Sequence, residues 1–432
     1  MKRCVLFLLV AAMWAGCGGE PAAPDASKPS SAAAKAESPT VPTPSAVVPE
    51  TPPGPAPVRG KSLLVAQSSF KQNDAGRYVV PDAAELLIVT PGENGAQVER
   101  FRDTESNVFH KAIPFGDGDI ITIGAAEARL KRWTRQEDGK WQGRTLWHTS
   151  FGGKFDRLRD MEVADFDGDG KPDLAIATHD QGVVVVAWNQ GDTFRIEEID
   201  RKPDTFVHEI EVGDLDGDGK MEIYATPSDP NTASGHKQGG AVMRYAWNGT
   251  SFDKSVVAEF DSRHIKEILV ADVDGDGVSE LYAVLEAQMG TGMKIEVPVE
   301  IYRYDYDKAK KGFTGTRIAQ IPDRFCRFLI AGDINHDGRT DLVAAAFSSG
   351  IHLIEKTDTG WKTSIIDKES AGFEHAAWMA DLDGDGKLEL YVADDRHGFL
   401  RRYVHRDGGF AKTDLNRRLV PASAMIWNIT TY

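Results

Sequence analysis

Short stretches with a two-residue period dominate the chain from residue 61 onward. Segments such as "HEIEVG" and "KEILVA" alternate polar and apolar positions, and each is followed after a polar loop by an apolar run: "LAIAT", "IYAT", "LYAV", "LVAA" and "LYVA". Alternation predicts a half-buried strand, and a short run of apolar residues predicts a strand buried on both faces. A third strand follows, for example "GVVVVAWN", "AVMRYAWNG" or "VEIYRYD", ending near an aromatic residue (Trp188, Trp247, Tyr304). A fourth opens on another aromatic: Phe194, Phe252, Phe313, Trp361 and Phe410. No helical period runs through these units.

The polar loop between first and second strands occurs five times: "DFDGDGKPD" from Asp165, "DLDGDGKME" from Asp214, "DVDGDGVSE" from Asp272, "DINHDGRTD" from Asp333 and "DLDGDGKLE" from Asp381. The starts are 49, 58, 61 and 48 residues apart, the scale of a repeated supersecondary unit. The interval from the aromatic opening a fourth strand to the next loop is 20 residues in all four cases, from Phe194, Phe252, Phe313 and Trp361. A constant interval implies a constant crossover. Four antiparallel strands per unit of about 50 residues, buried on both faces, predict an all-β chain folded as a β-propeller.

Strand starts of the form [DE][LI] at Glu85, Asp119, Asp173, Glu222, Glu280, Asp341 and Glu389 predict seven blades, with six or eight the alternatives. The first two starts are only 34 residues apart, so the first blade is irregular. The C-terminal "SAMIWNITTY" reads as an inner strand with no blade after it. It is expected to join the N-terminal strands and close the ring, which removes exposed sheet edges.

Each loop converges oxygen ligands. In the loop from Asp165, Asp165, Asp167 and Asp169 occupy positions 1, 3 and 5, the carbonyl of Lys171 position 7, and Asp173 position 9. Calcium takes six to eight such oxygens. An EF-hand needs a bidentate Glu at position 12, but Ile176, Ala225, Ala283, Ala344 and Val392 stand there, so that motif is excluded by spacing. The pattern D-x-D-G-D-G-x-x-[DE] before an apolar strand, repeated at blade spacing, resembles the FG-GAP/VCBS repeats of integrin-type propellers over residues 165 to about 410. The resemblance implies calcium at up to five sites, in a structural role, between the first and second strands of five blades. It assigns Asp214, Asp216, Asp218, Lys220 and Glu222; Asp272, Asp274, Asp276, Val278 and Glu280; Asp381, Asp383, Asp385, Lys387 and Glu389; and Asp333, Asn335, Asp337, Arg339 and Asp341. The loop from Asp333 departs from the pattern, with Asn335 for an aspartate and His336 for a glycine, so its site is expected to be the weakest.

Composition adds to this picture at the ends. Net charge is −16, and 19 carboxylates stand at the loop ligand positions, so the acidity belongs to the loops and nucleic acid is not an expected partner. Residues 1–16, opening "MKRCVLFLLVAAMWAG", read as an export signal too short to span a bilayer. "WAGC" resembles the lipobox of bacterial lipoproteins, with Trp14 where that family usually has Leu. The resemblance makes Cys17 the lipidated first residue of a cell-envelope protein, with outer-membrane placement the expectation. Residues 17–60 are rich in Pro, Ala and Ser and read as a disordered tether before a domain spanning 61–432. Cys326 then has no disulfide partner and reads as a buried apolar side chain.

Six residues before each loop stand Arg159, His208, Lys266, Arg327 and His375, with Lys111 in the shortened unit aligned on Asp117. Repetition is expected to set them as a basic ring at the channel mouth opposite the calcium loops. His179, Arg396 and His397 come from second-to-third turns on the same face. Long turns at 226–240 and 285–297 also belong there. The expected function is recognition of a protein or an anionic glycan on this face, without catalysis. No nucleophile elbow, zinc helix or phosphate loop occurs. A lyase or hydrolase acting on acidic polysaccharide is the alternative.

Overall fold

The computed structural model describes residues 59–92, 95–125, 127–152, 156–230 and 238–432, residue 57, and a two-residue strand Ser45–Ala46. The expected leader with Cys17 and most of the tether lie outside the described residues. Ser45 and Ala46 pair with Gly143 and Gln142 on an outer strand, so this short piece of the expected tether has a place against the fold.

Seven four-stranded antiparallel blades follow one another around a channel. Blade I holds Phe109–Phe115, Asp119–Gly124, Ala128–Arg135 and Trp141–Thr149; blade II runs from Leu158 to Arg201, blade III from Phe206 to Phe260, and blade IV from Ile265 to Ile321. Blades V and VI span Cys326 to Asp367 and Ala377 to Arg417. Blade VII is built from both ends of the chain. Its inner strand is the C-terminal Ala424–Thr431, paired with Leu63–Gln72, which pairs in turn with Ala84–Gly92 and then Gly95–Asp103. Glu85 therefore lies in a third strand. The second strand of that blade starts at Leu63, and this explains the short 34-residue interval to Asp119.

Both faces of each blade are buried because neighbouring blades sandwich it. Leu64, Ala66, Leu86 and Ile88 pack against blade I, while Leu63, Val65, Leu87 and Val89 pack against blade VI. One apolar cluster fills each of the seven gaps, so the core is a ring of wedges around the channel. Trp133 and Trp141 stack around Phe101 in the wedge between blades I and VII, at centroid distances of 4.9 and 5.6 Å. Cys326 is buried and unpaired, as expected of an apolar filler.

The hairpin turns sort into two faces. All five acidic loops join first to second strands and share one face. The second-to-third turns share the other. There blade IV adds a small hairpin, Gln288–Met289 with Ile295–Val297, and blade VII extends Leu63–Gln72 to pair with Tyr78–Pro81.

Candidate functional site

The acidic loops are built alike. The second residue of each is apolar and buried in the wedge below: Phe166, Leu215, Val273, Ile334 and Leu382. This anchor holds the loop down. The N–H at position 6 then donates to Oδ2 of the first aspartate in every copy, Gly170 to Asp165 and Gly219 to Asp214 at 2.8 Å, and Gly277, Gly338 and Gly386 to Asp272, Asp333 and Asp381 at 2.9 Å. That glycine adopts φ of +83° to +87°, a region costly for other residues. In the loop from Asp333, His336 takes φ +59° where the others have glycine, and its Nε2 lies 3.1 Å from the Leu388 carbonyl of the next blade.

The ninth position is the buried one. Asp173, Glu222, Glu280, Asp341 and Glu389 are all less than 5% exposed. Burial pushes each carboxyl up, Asp173 to about 6 and Asp341 to about 7, the latter with Asp337 and Asp333 adding repulsion. Potential ligand oxygens of Asp214, Asp216, Asp218 and Glu222 lie within 4.8 Å of one another, as do those of Asp272, Asp274, Asp276 and Glu280. Three carboxylates converge in the loops from Asp165 (Asp165, Asp167, Asp173) and Asp381 (Asp381, Asp383, Asp385). Asp341 is 2% exposed, and its Oδ2 has no hydrogen-bond partner among the described residues. Hard oxygen donors, a buried anion and an orphaned oxygen fit a divalent cation of the calcium type.

The opposite face departs from the expected basic ring. Lys111, Arg159, His208, Lys266, Arg327 and His375 do gather at that end of the channel, but they are buried and held by the protein's own groups. Glu374 receives Arg159 at 3.1 Å and Arg327 at 2.9 Å, and Glu286 receives Arg327 at 3.1 Å. Lys111 lies 2.9 Å from Asp160 and also pairs with Glu162. These contacts tie blades I, II, IV, V and VI together across the axis. Burial, with Arg327 and Arg159 nearby, brings the Lys266 ammonium down to about 7. His208 Nδ1 lies 2.9 Å from the Lys266 carbonyl; His375 bridges the Ala346 carbonyl and Ser370 Oγ at 2.6 and 2.8 Å. Burial holds both imidazoles well below their ordinary value, His375 at about 4. His179 is buried against Phe206, 4.4 Å between centroids, and meets Arg157 and Asp180. Arg396 and His397 line a cavity of about 440 Å³ with Lys368, Glu369, Phe399 and Arg401, and His397 Nδ1 lies 2.8 Å from Asp394.

Two groups went unnoticed in the sequence. Asp160, Glu162, Glu209, Glu211 and Glu267 form an acidic arc along blades II to IV, with Lys111 the cation nearest Glu162. Their signal was the period-two carboxylates of "RDMEV", "HEIEV" and "KEILV". Phe325, Phe347 and Phe373 meet edge-to-face at the mouth, with centroids 5.6 to 6.5 Å apart and each ring partly exposed. Arg324 lies 5.0 Å from the Phe325 ring centroid. Those three phenylalanines come from a second-to-third turn and two crossovers, where no strand period marks them.

Comparison with known proteins agrees with this architecture. Residues 165–225 and 333–392 match the model of the FG-GAP-like repeat. Among curated proteins none matches by sequence. The fold is similar to that of a putative 6-phosphogluconolactonase from Bacteroides uniformis, at 14% identity and TM-score 0.53 over 86% of this chain and 100% of that one. It is also similar to a periplasmic gluconolactonase from Pseudomonas aeruginosa, at 12% identity and TM-score 0.51 over 84% and 97%.

Proposed function

We propose that this chain, an FG-GAP-repeat β-propeller, is a calcium-stabilised recognition module that presents the face opposite its acidic loops to a protein partner. The observation that carries the reading is the partly exposed Phe325, Phe347 and Phe373 cluster beside Arg324 at the channel mouth. Apolar rings with an adjacent guanidinium suit a segment bearing both apolar and acidic side chains. Edge-to-face rings offer no flat platform for a sugar, so an anionic glycan is the less favoured partner. The buried ion network beneath the rings makes a rigid floor. Lipid attachment at Cys17 places the module at the cell envelope, in the outer membrane, on the reading of the leader.

Calcium has a structural part in this proposal. It neutralises the buried ninth-position carboxylates and adds folding energy, because the unfolded chain holds no formed site. Excess chelator is expected to lower the melting temperature by on the order of 10 °C and calcium to restore it. An unchanged melt would remove calcium from the reading. For recognition, the test is crosslinking in solubilised envelopes with the wild type and with Phe347→Ser/Phe373→Ser. A partner captured equally by both places recognition elsewhere.

The basic cavity at Arg396, His397 and Arg401 favours one second reading, cleavage of an acidic polysaccharide. New unsaturated or reducing ends on a uronic-acid polysaccharide panel would establish it.

A further inference from the structure

The five loops are of two kinds, and the difference lies in a side chain outside the loop. Where position 9 is glutamate, the residue two further on is tyrosine, and the third strand sets an arginine opposite that tyrosine: Tyr224 with Arg244, Tyr282 with Arg303, Tyr391 with Arg402. Where position 9 is aspartate, both places are apolar: Ala175 with Val186, and Val343 with Leu353. The tyrosine hydroxyl donates to Glu222, Glu280 or Glu389 at 2.6, 2.7 and 2.7 Å. The guanidinium bridges positions 3 and 9. Arg244 pairs with Asp216 and lies 2.7 Å from Glu222; Arg303 lies 2.8 Å from Asp274 and 3.1 Å from Glu280. Arg402 stands 3.9 Å from both Asp383 and Glu389. Lys356 of blade V adds a second cation to Asp274 at 2.9 Å.

Among the described residues, blades II and V have no such buried cation. Their loop cations, Lys171 on Asp169 and Arg339 on Asp337, are about half exposed and therefore screened. Asp274 Oδ1 is orphaned too, but its Oδ2 holds Arg303 and Lys356; Asp341, with an orphaned Oδ2, has no such cation, and a buried carboxylate without a counter-charge is costly.

We propose that Arg244, Arg303 and Arg402 are built-in counter-ions, which hold the loops of blades III, IV and VI without a bound ion, and that the loops of blades II and V depend on a divalent cation. The inference rests on the calcium reading above and sharpens it. Affinity and dependence separate here. Affinity follows the number of ligand charges, so the three-carboxylate loop from Asp333 binds more weakly than the four loops that carry four. Dependence follows the uncompensated buried carboxylate, so the loop from Asp333, with fewer ligand charges, still needs its ion.

Hydrogen exchange resolved by peptide tests this on the intact domain, in excess calcium and in excess chelator. Removing calcium is expected to speed exchange about tenfold or more in 165–173 and 333–341, and less than about twofold in 214–222, 272–280 and 381–389. Arg244→Met is expected to move 214–222 alone into the calcium-dependent group, while Arg244→Lys leaves it protected. Equal loss of protection in all five loops overturns the counter-ion assignment and leaves calcium binding intact. No change in any loop removes calcium binding as well. If Arg244→Met does not fold in calcium, the wild-type comparison still decides the assignment.

Discussion

At the scale of the residue, the most telling side chains are carboxylates held without enough cations. Glu209 and Glu211 face Asp160, Glu162 and Glu267 along the channel, with Lys111 and Arg159 the cations in reach. Burial, then repulsion from these neighbours, holds both well above the ordinary carboxyl value. A carboxyl raised on folding stabilises fully below its unfolded pKa, and the contribution is lost as pH rises through the folded one. Glu209→Gln/Glu211→Gln is therefore expected to melt about 2–6 °C above the wild type at pH 8, in constant excess calcium, with the gap closing toward pH 4.5. A gap that is constant with pH would show that these carboxyls do not titrate as argued. The sequence made the loop carboxylates legible because one pattern recurs five times. It made the cations before them legible as a set, but not their burial, since Glu286 and Glu374 lie in a turn and a crossover outside the aligned positions.

At the scale of the element, the blade is a strand quartet whose second strands read as apolar runs and whose third strands read only as strands ending near an aromatic. The tyrosine in "IYAT", "LYAV" and "LYVA" and the arginine in "MRYAW", "YRYD" and "RRYV" were in plain view. Their link was not, because cross-strand register is set by turn length, and blades III and IV carry long, unequal turns. Paired by the fold, they become a fixed support for the loop beside them. Tyr224→Phe removes one hydrogen bond from a buried carboxylate whose Oε2 also accepts the Leu215 N–H at 3.2 Å. The expected cost is about 1–2 kcal/mol, read as a lowered denaturant midpoint with unchanged slope, in chelator. A midpoint equal to the wild type would mean the tyrosine packs without supporting the glutamate.

At the scale of the whole molecule, blade VII decides whether there is a ring at all. Its inner strand comes from the C-terminus and its other three from the N-terminus, joined by the register Leu63 to Thr431 through Ser69 to Ala424. The pattern of "SAMIWNITTY" was enough to foresee this pairing, since a lone apolar strand after the last repeat has nowhere else to bury both faces. The contribution reaches past one ladder. Trp427 lies 4.8 Å from the His110 ring and 5.5 Å from Arg159, and Thr430 donates to the Ala112 carbonyl at 2.7 Å, so the strand also braces blades I and II. Tyr432 donates to the Gly118 carbonyl in the shortened loop of blade I. Ending the chain at residue 423 would strip the Leu63–Gln72 edge and open two apolar wedges. The truncated domain is expected to lose its cooperative melt and to associate through the bared edge, seen by light scattering, even in saturating calcium. Calcium cannot rescue it, because the five loops pin turns inside blades II to VI and none of them spans the seam. A truncated domain that stays monomeric and melts with the wild type would show that the wedges alone hold the ring closed.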